Sequence, residues 1–152
     1  MELDTIDLKL LNFLQEDCKM TNKQLSLKLD LSATAVYERV RKLERNGIIE
    51  KYTVLLNGKL LGKELLVFTH VKLVRHSKEN IANFEKQISQ INEVHECHHI
   101  SGDYDYILKM SFKGMDDYRN FMFNKLTAIP SIGSTHSIFV INEVKNEIGY
   151  RF

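Results

Sequence analysis

The residues best placed to do chemistry lie between positions 32 and 45. There the run SATAVYERVRKLER sets small and hydroxyl side chains at the start of a helix, with three arginines and a lysine further along it. With Val36, Val40 and Leu43 pointing inward at helical spacing, Thr34, Glu38, Arg41 and Arg45 fall on the opposite side, and Ser32, Ala33 and Ala35 stand at the amino-terminal end. Arginine makes a bidentate contact to guanine or clamps a phosphate, serine and threonine bond to a base or to the backbone, and alanine permits close approach. The expected DNA-contacting set is Ser32, Ala33, Thr34, Ala35, Glu38, Arg39, Arg41, Lys42 and Arg45. These residues also suit a solvated helix whose charges pair at i,i+3 and i,i+4 spacing, and the sequence alone does not divide base contacts from phosphate contacts.

A second set of reactive side chains, His95, Cys97 and His99, alternates along a β-prone run and would share one face, with His98 on the other. Successive residues on one strand face stand about 7 Å apart, so a transition metal would need partners such as His70 or His136, and no metal site is expected. No Ser/His/Asp order, phosphate-binding loop, G-x-G-x-x-G after a strand or H-E-x-x-H motif occurs, so neither catalysis nor a cofactor is expected. Cys18 and Cys97 lie far apart with no C-x-x-C spacing, which suits a reducing compartment without disulfides or a zinc ribbon.

A reading helix needs supports, and the preceding residues supply them. Asp4 can cap a helix over 5–16 with an apolar face of Ile6, Leu10, Leu11, Phe13 and Leu14. Thr21 and Gln24 form a capping box for a second helix that ends near Asp30. Ser32 caps the third, over 33–46, and Gly47 stops it in the left-handed conformation. The short turn at 30–32 is that of a helix-turn-helix, whose second helix lies in the major groove. Charge agrees with this: residues 1–18 carry one lysine against five acids, whereas residues 19–51 carry eight basic residues against four acidic ones. The overall net charge of +1 conceals that footprint.

After Gly47, residues 48–56 are β-prone and read as a wing or strand leading away, and Asn57-Gly58 signals a turn. We expect a DNA-binding domain over 1–50, a β-strand linker over 51–62 with Gly62 as a further hinge, and a second domain over 63–152. That domain alternates strands (65–74, 94–100, 106–112, 134–142) with helices (78–91, 116–128). This order is the ferredoxin-like βαββαβ arrangement, an antiparallel sheet with both helices on one face. Leu66, Phe68 and His70, with Ile107, Lys109 and Ser111, would lie on the second face, which a homodimer would cover. No apolar run is long enough to span a bilayer and the start Met1-Glu2-Leu3-Asp4 is acidic, so a cytoplasmic protein is expected.

Three runs carry a family resemblance: LSATAVYERVRKLERNGIIEKYTVLLN at 31–57, ECHHISGDYDYILK at 96–109, the most specific, and FVINEVK at 139–145. Across essentially its whole length the chain resembles the Lrp/AsnC, or feast/famine, transcription regulators. The resemblance implies an α+β protein, an N-terminal winged helix-turn-helix joined to a C-terminal ferredoxin-like domain that senses an amino acid. It further implies dimers that assemble into octamers around which double-stranded DNA wraps. It places the effector in a cleft between dimers, against Ser101, Gly102, Asp103, Tyr104 and Asp105, completed by Gly133, Ser134, Thr135 and His136. Local chemistry is compatible: Gly102 lets backbone approach a ligand, Asp103 or Asp105 can pair with an ammonium group, and loop N–H groups can hold a carboxylate. A hairpin turn would use the same Gly and Asp for its geometry alone. Ala33 and Ala35 stand where many relatives carry proline or another residue, so the operator sequence does not transfer. The alternatives are an architectural DNA-binding protein without an effector and, on the same fold, a haem-pathway decarboxylase, against which the basic reading helix argues.

Overall fold

The computed structural model describes residues 2–147 and 149–152. The chain divides into two compact units, Met1–Leu55 with Lys145–Phe152, and Leu56–Val144. In the first, α1 (Thr5–Glu16), α2 (Asn22–Leu29) and α3 (Ala33–Arg45) each begin on a side-chain cap. The Asp4 carboxylate accepts from the Asp7 N–H at 2.7 Å, Thr21 and Gln24 bond reciprocally, and Ser32 Oγ accepts from the Ala35 N–H at 3.1 Å. Each cap satisfies backbone donors that the first turn of a helix leaves without partners. Asp30 closes α2 in the left-handed conformation (φ 54°), so the Leu31 N–H turns back to the Ser26 carbonyl and α3 starts after a very short turn. Gly47, at φ 71°, lets the Ile48 N–H reach the Leu43 carbonyl in the same way. Leu10, Leu11, Leu25, Val36 and Leu43 are buried together, and Val40, Phe13 and Leu14 pack around them. The apolar spacing read from the sequence is therefore the packing face.

The second unit holds β1 (Leu65–Leu73), α4 (Lys78–Ile88), β2 (Val94–His99), β3 (Tyr106–Phe112), α5 (Met115–Phe121) and β4 (Ile132–Phe139). All pairings are antiparallel in the order β2-β3-β1-β4, the ferredoxin-like topology. Val67, Val71, Leu108 and Met110 on one sheet face pack with Phe84 and Ile88 of α4 and Phe121 of α5, which puts both helices on that face. Leu66, Phe68, His70, Ile107 and Lys109 alternate onto the other face and stay only partly buried within one chain. Gly133 sits where β1 and β4 slip register between Lys72 and Leu73; a Cβ there would come within 3.3 Å of the Val74 nitrogen.

The structure corrects three expectations. The linker over 51–62 contains no strand: a strand needs a ladder partner, and residues 51–57 run irregularly with Val54, Leu55 and Leu56 exposed before a 3₁₀ turn at Lys59–Leu61. Residues 145–152 belong with the first unit, not with the domain over 63–152. The helix expected over 116–128 changes register after Phe121 into a π-helical turn, Met122–Leu126, closed by the Thr127 N–H on the Met122 carbonyl. Leu43 is fully buried at the centre of the first core. Replacing it with alanine is expected to destabilise that unit by about 2–5 kcal/mol, the usual range for opening a cavity at a buried leucine. Urea unfolding followed by the amide signals of α1–α3 checks this, with the signals of β1–β4 as the internal reference.

Candidate nucleic-acid interface and effector site

The amino-terminal turn and outer side of α3 present Ser32, Ala33, Thr34, Glu38, Arg41, Lys42 and Arg45 to solvent, while Ala35 is half-buried. The cap at Ser32 gives the Ala35 N–H a side-chain partner, so Thr34, Glu38 and Arg45 project along one line from a rigid start. Arg39 departs from the expectation. Its Nη1 lies 2.6 Å from Asp7 Oδ1 and 2.8 Å from Asp4 Oδ2, and Asp7 is 1% exposed. A carboxylate that deep needs a paired cation, so Arg39 is turned inward as a bolt between α1 and α3. The Asp7 N–H and then the Arg39 guanidinium hold the Asp4 carboxyl below the usual carboxylate range.

Arg41 keeps 58% of its side chain exposed, yet its Nε donates to Tyr37 Oη at 3.3 Å and its Nη1 pairs with Glu44 at 3.2 Å. Glu44 also accepts from the Tyr52 hydroxyl at 3.0 Å, which ties the segment after α3 back to the reading helix. Tyr37, 44% exposed and stacked under the Arg41 guanidinium, is a surface aromatic that the charge pattern did not single out. Its position four residues before Arg41 was the available signal.

In the second unit the structure brings the two expected effector segments together. Ser101, Gly102 and Asp103 are exposed, and Gly102 takes φ 114°, a conformation that favours glycine. Tyr104 packs its ring 5.1 Å from that of His70 on β1, and His136 on β4 lies 6.3 Å from both rings. Ser134 and Thr135 face Lys72 and Val71 across the β1–β4 ladder. His70, absent from the expected site, is thus the element that joins residues 101–105 to 133–136. Its Nδ1 is buried without a hydrogen-bond partner. A polar residue on the Leu66-Phe68-His70 face was the sequence signal for it. Asp105 departs from the ammonium-binding role: it is buried, its Oδ2 accepts from the Leu73 N–H at 2.7 Å and its Oδ1 lies 3.3 Å from His76 Nε2. It fastens the loop to the end of β1, which leaves Asp103 as the exposed acid. Gly133 acts through the register slip described above.

The histidine strand does not converge on a metal. His95 falls at a bulge between Val94 and Glu96, His98 lies 3.3 Å from Glu96, and His99 stacks on Tyr106 with centroids 4.7 Å apart. Burial pushes the Cys97 thiol up to about 11, far from the thiolate that binds metals. Among the described residues no group of three His, Cys, Asp or Glu is gathered to hold an ion.

A helix-turn-helix followed by a four-stranded ferredoxin-like unit defines a class of two-domain DNA-binding regulators, and the comparisons specify it. Residues 3–50 match the family model for a winged helix-turn-helix DNA-binding domain, and residues 66–149 match that for the Lrp/AsnC ligand-binding domain. The chain is 40% identical over 144 residues to the leucine-responsive regulatory proteins of Escherichia coli (strain K12) and Klebsiella pneumoniae, covering 95% of this chain and 88% of each relative. It superposes on a transcriptional regulator of Neisseria meningitidis in complex with L-methionine with a TM-score of 0.93 at 30% identity, covering 97% of this chain and 95% of that one. An AsnC-family regulator from Agrobacterium tumefaciens superposes with a TM-score of 0.92 at 29% identity, covering 97% and 96%. The chain belongs to the Lrp/AsnC family of transcription regulators. It is a DNA-binding regulator with a ligand-binding second domain.

The Arg39 bolt has a measurable consequence. Arg39→Ala is expected to destabilise the first unit by about 1.5–3 kcal/mol, because it leaves the buried Asp7 carboxylate unpaired. Because the folded Asp4 carboxyl titrates below its unfolded value, its contribution is present above the ordinary carboxylate range and is lost as pH falls through the lowered value. Thermal melts between about pH 5 and about pH 2 should therefore show a steeper acid loss in the parent than in Asp4→Asn.

Proposed function

We propose that this protein controls genes of amino-acid metabolism by inserting α3 into the DNA major groove, and that an amino acid bound in its second unit modulates DNA binding or assembly. What supports the reader is the outer face of α3, with Thr34, Glu38, Lys42 and Arg45 exposed on a helix bolted to α1 by Arg39. Ser32, Ala33, Thr34 and Ala35 meet base edges or the backbone at the helix start, and Arg41, Lys42 and Arg45 meet phosphates or guanine. Arg39 positions the helix.

The observation that carries the effector half is the Tyr104–His70–His136 ring contact, which gathers residues 101–105 and 133–136 at one place on the sheet. The backbone N–H groups of the exposed residues Ser101, Gly102 and Asp103 suit the carboxylate of an amino acid, and the Asp103 side chain suits its ammonium group. The L-methionine bound by the Neisseria neighbour and the leucine response in the relatives' name agree with that chemistry. The half-covered face bearing Leu66, Phe68 and Ile107 supports a homodimer that assembles further, to an octamer, and two reading helices per dimer suit paired half-sites. No helix of the described residues is long and apolar enough to cross a membrane, and the chain acts in the cytoplasm, where its DNA is.

Two experiments test the halves separately. Fluorescence anisotropy on the operator upstream of an amino-acid gene should show Arg45→Ala binding more weakly, with the slope of log affinity against log salt reduced by about 1, while melting unchanged. Unaltered affinity and slope would remove Arg45 from the DNA surface. In a thermal-shift screen of the twenty amino acids, one or a few should stabilise the parent. Asp103→Ala should abolish that shift without changing ligand-free stability, whereas Asp105→Ala should lower the stability of the second unit itself. If no amino acid stabilises the protein, the architectural reading replaces the sensor.

A further inference from the structure

Residues 149–152 lie against α1, held there by side-chain amides. Asn12 donates from Nδ2 to the Phe152 backbone oxygen at 2.9 Å and accepts the Phe152 N–H on Oδ1 at 3.3 Å. One helical turn further on, Gln15 donates from Nε2 to the Tyr150 carbonyl at 2.7 Å and accepts the Tyr150 N–H on Oε1 at 2.6 Å. Each primary amide presents one donor and one acceptor to one backbone residue, as a neighbouring strand would. Residues i and i+3 of a helix share a face, and alternate residues of an extended chain point their backbone groups to one side, so the two spacings mesh.

The side chains of the segment take little part. Tyr150 is 79% and Phe152 57% exposed, and Arg151 pairs with Glu147 inside the segment at 2.7 Å. One position is restricted. Gly149 adopts φ 109°, and a Cβ there would collide with Gln15 Oε1 and Cδ. The chain must therefore be glycine at the point where it comes onto the Gln15 amide.

We infer that Asn12 and Gln15 form a backbone-reading dock on α1 whose occupant is residues 149–152 of the same chain, so that these residues complete the DNA-reading unit beside its three helices. The dock recognises an extended peptide by its amide groups and tolerates any side chain at 150 and 152. The first core does not depend on it, since Leu10, Leu25, Val36 and Leu43 are sealed by the three helices. The dock stands independently of which effector the second unit binds.

Hydrogen–deuterium exchange on the full-length protein tests it. In the parent, the Tyr150 and Phe152 amides are expected to exchange more slowly than an unstructured peptide. Asn12→Leu/Gln15→Leu should accelerate them on the order of tenfold or more, the loss of two paired amide contacts. Gly149→Ala should do the same without altering α1, while Tyr150→Ala and Phe152→Ala should leave the protection of the other amide in place. Exchange at the unstructured rate in the parent, or protection that survives both Asn12→Leu/Gln15→Leu and Gly149→Ala, would overturn the dock. A second measurement identifies the occupant. With Cys18 and Cys97 replaced by serine, Asn12→Cys/Phe152→Cys treated with a short bis-maleimide should give a cross-link within one chain. A cross-link found only between chains would assign the dock to a second copy and overturn the intrachain reading.

Discussion

The arrangement of the reading helix depends on one buried ion pair. Asp7 sits in the first turn of α1 with almost no exposure, where an unpaired carboxylate would be strongly unfavourable, and Arg39 of α3 is the cation that reaches it. Because Arg39 also bonds the capping Asp4, the start of α1 and the middle of α3 are fixed to each other by groups that cannot both be satisfied in another orientation. The apolar core would tolerate some rotation of α3 about its axis; the directional bonds to two carboxylates would not. The line of Thr34, Glu38 and Arg45 inherits its direction from that constraint.

The second unit obeys a comparable rule. β1 is central in the sheet, and its ends are where the loops of interest attach. Asp105 gives one oxygen to the Leu73 N–H at the end of β1 and its own N–H to the Val71 carbonyl. It therefore continues the ladder with a side chain where the strand runs out. This anchoring lets Ser101, Gly102 and Asp103 remain exposed on a loop whose base is rigid, and it places Tyr104 against His70. On the other side of β1, Gly133 permits the close approach that carries β4 through its register slip and sets His136 opposite His70. Residues 101–105 and 133–136 meet because both flanking strands are registered to the same central one.

Fold and function connect through exposure. The face of the sheet away from α4 and α5 carries apolar and aromatic residues that a single chain only half covers, and the linker residues Val54, Leu55 and Leu56 are exposed. Among the described residues of one chain no strand pairs with that linker, so its β-prone composition has no ladder to enter. Sequence periodicity reports what a residue prefers, and the ladder partner decides whether the preference is realised.

How much could be read from the residues follows from the range of the forces involved. Caps at Asp4, Thr21 and Ser32, the left-handed stop at Gly47 and the 3.6-residue apolar spacing are local, and the first three helices emerged from sequence nearly residue for residue. The alternation of strands and helices likewise fixed the βαββαβ order, since each element carries its own period. Three things were decided only by tertiary structure. Arg39 reads as one basic residue among several until a buried carboxylate thirty-two positions away claims it. Asp105 and Asp103 are chemically the same two residues apart, and only the ladder to β1 separates the anchor from the exposed acid. His70 has no motif; its place between Tyr104 and His136 comes from strand register. The residue types determined alone which chemistry was available, whereas the long-range pairings determined which side chains remained free to perform it, because a charge or polar group satisfied inside the fold is no longer offered to a ligand.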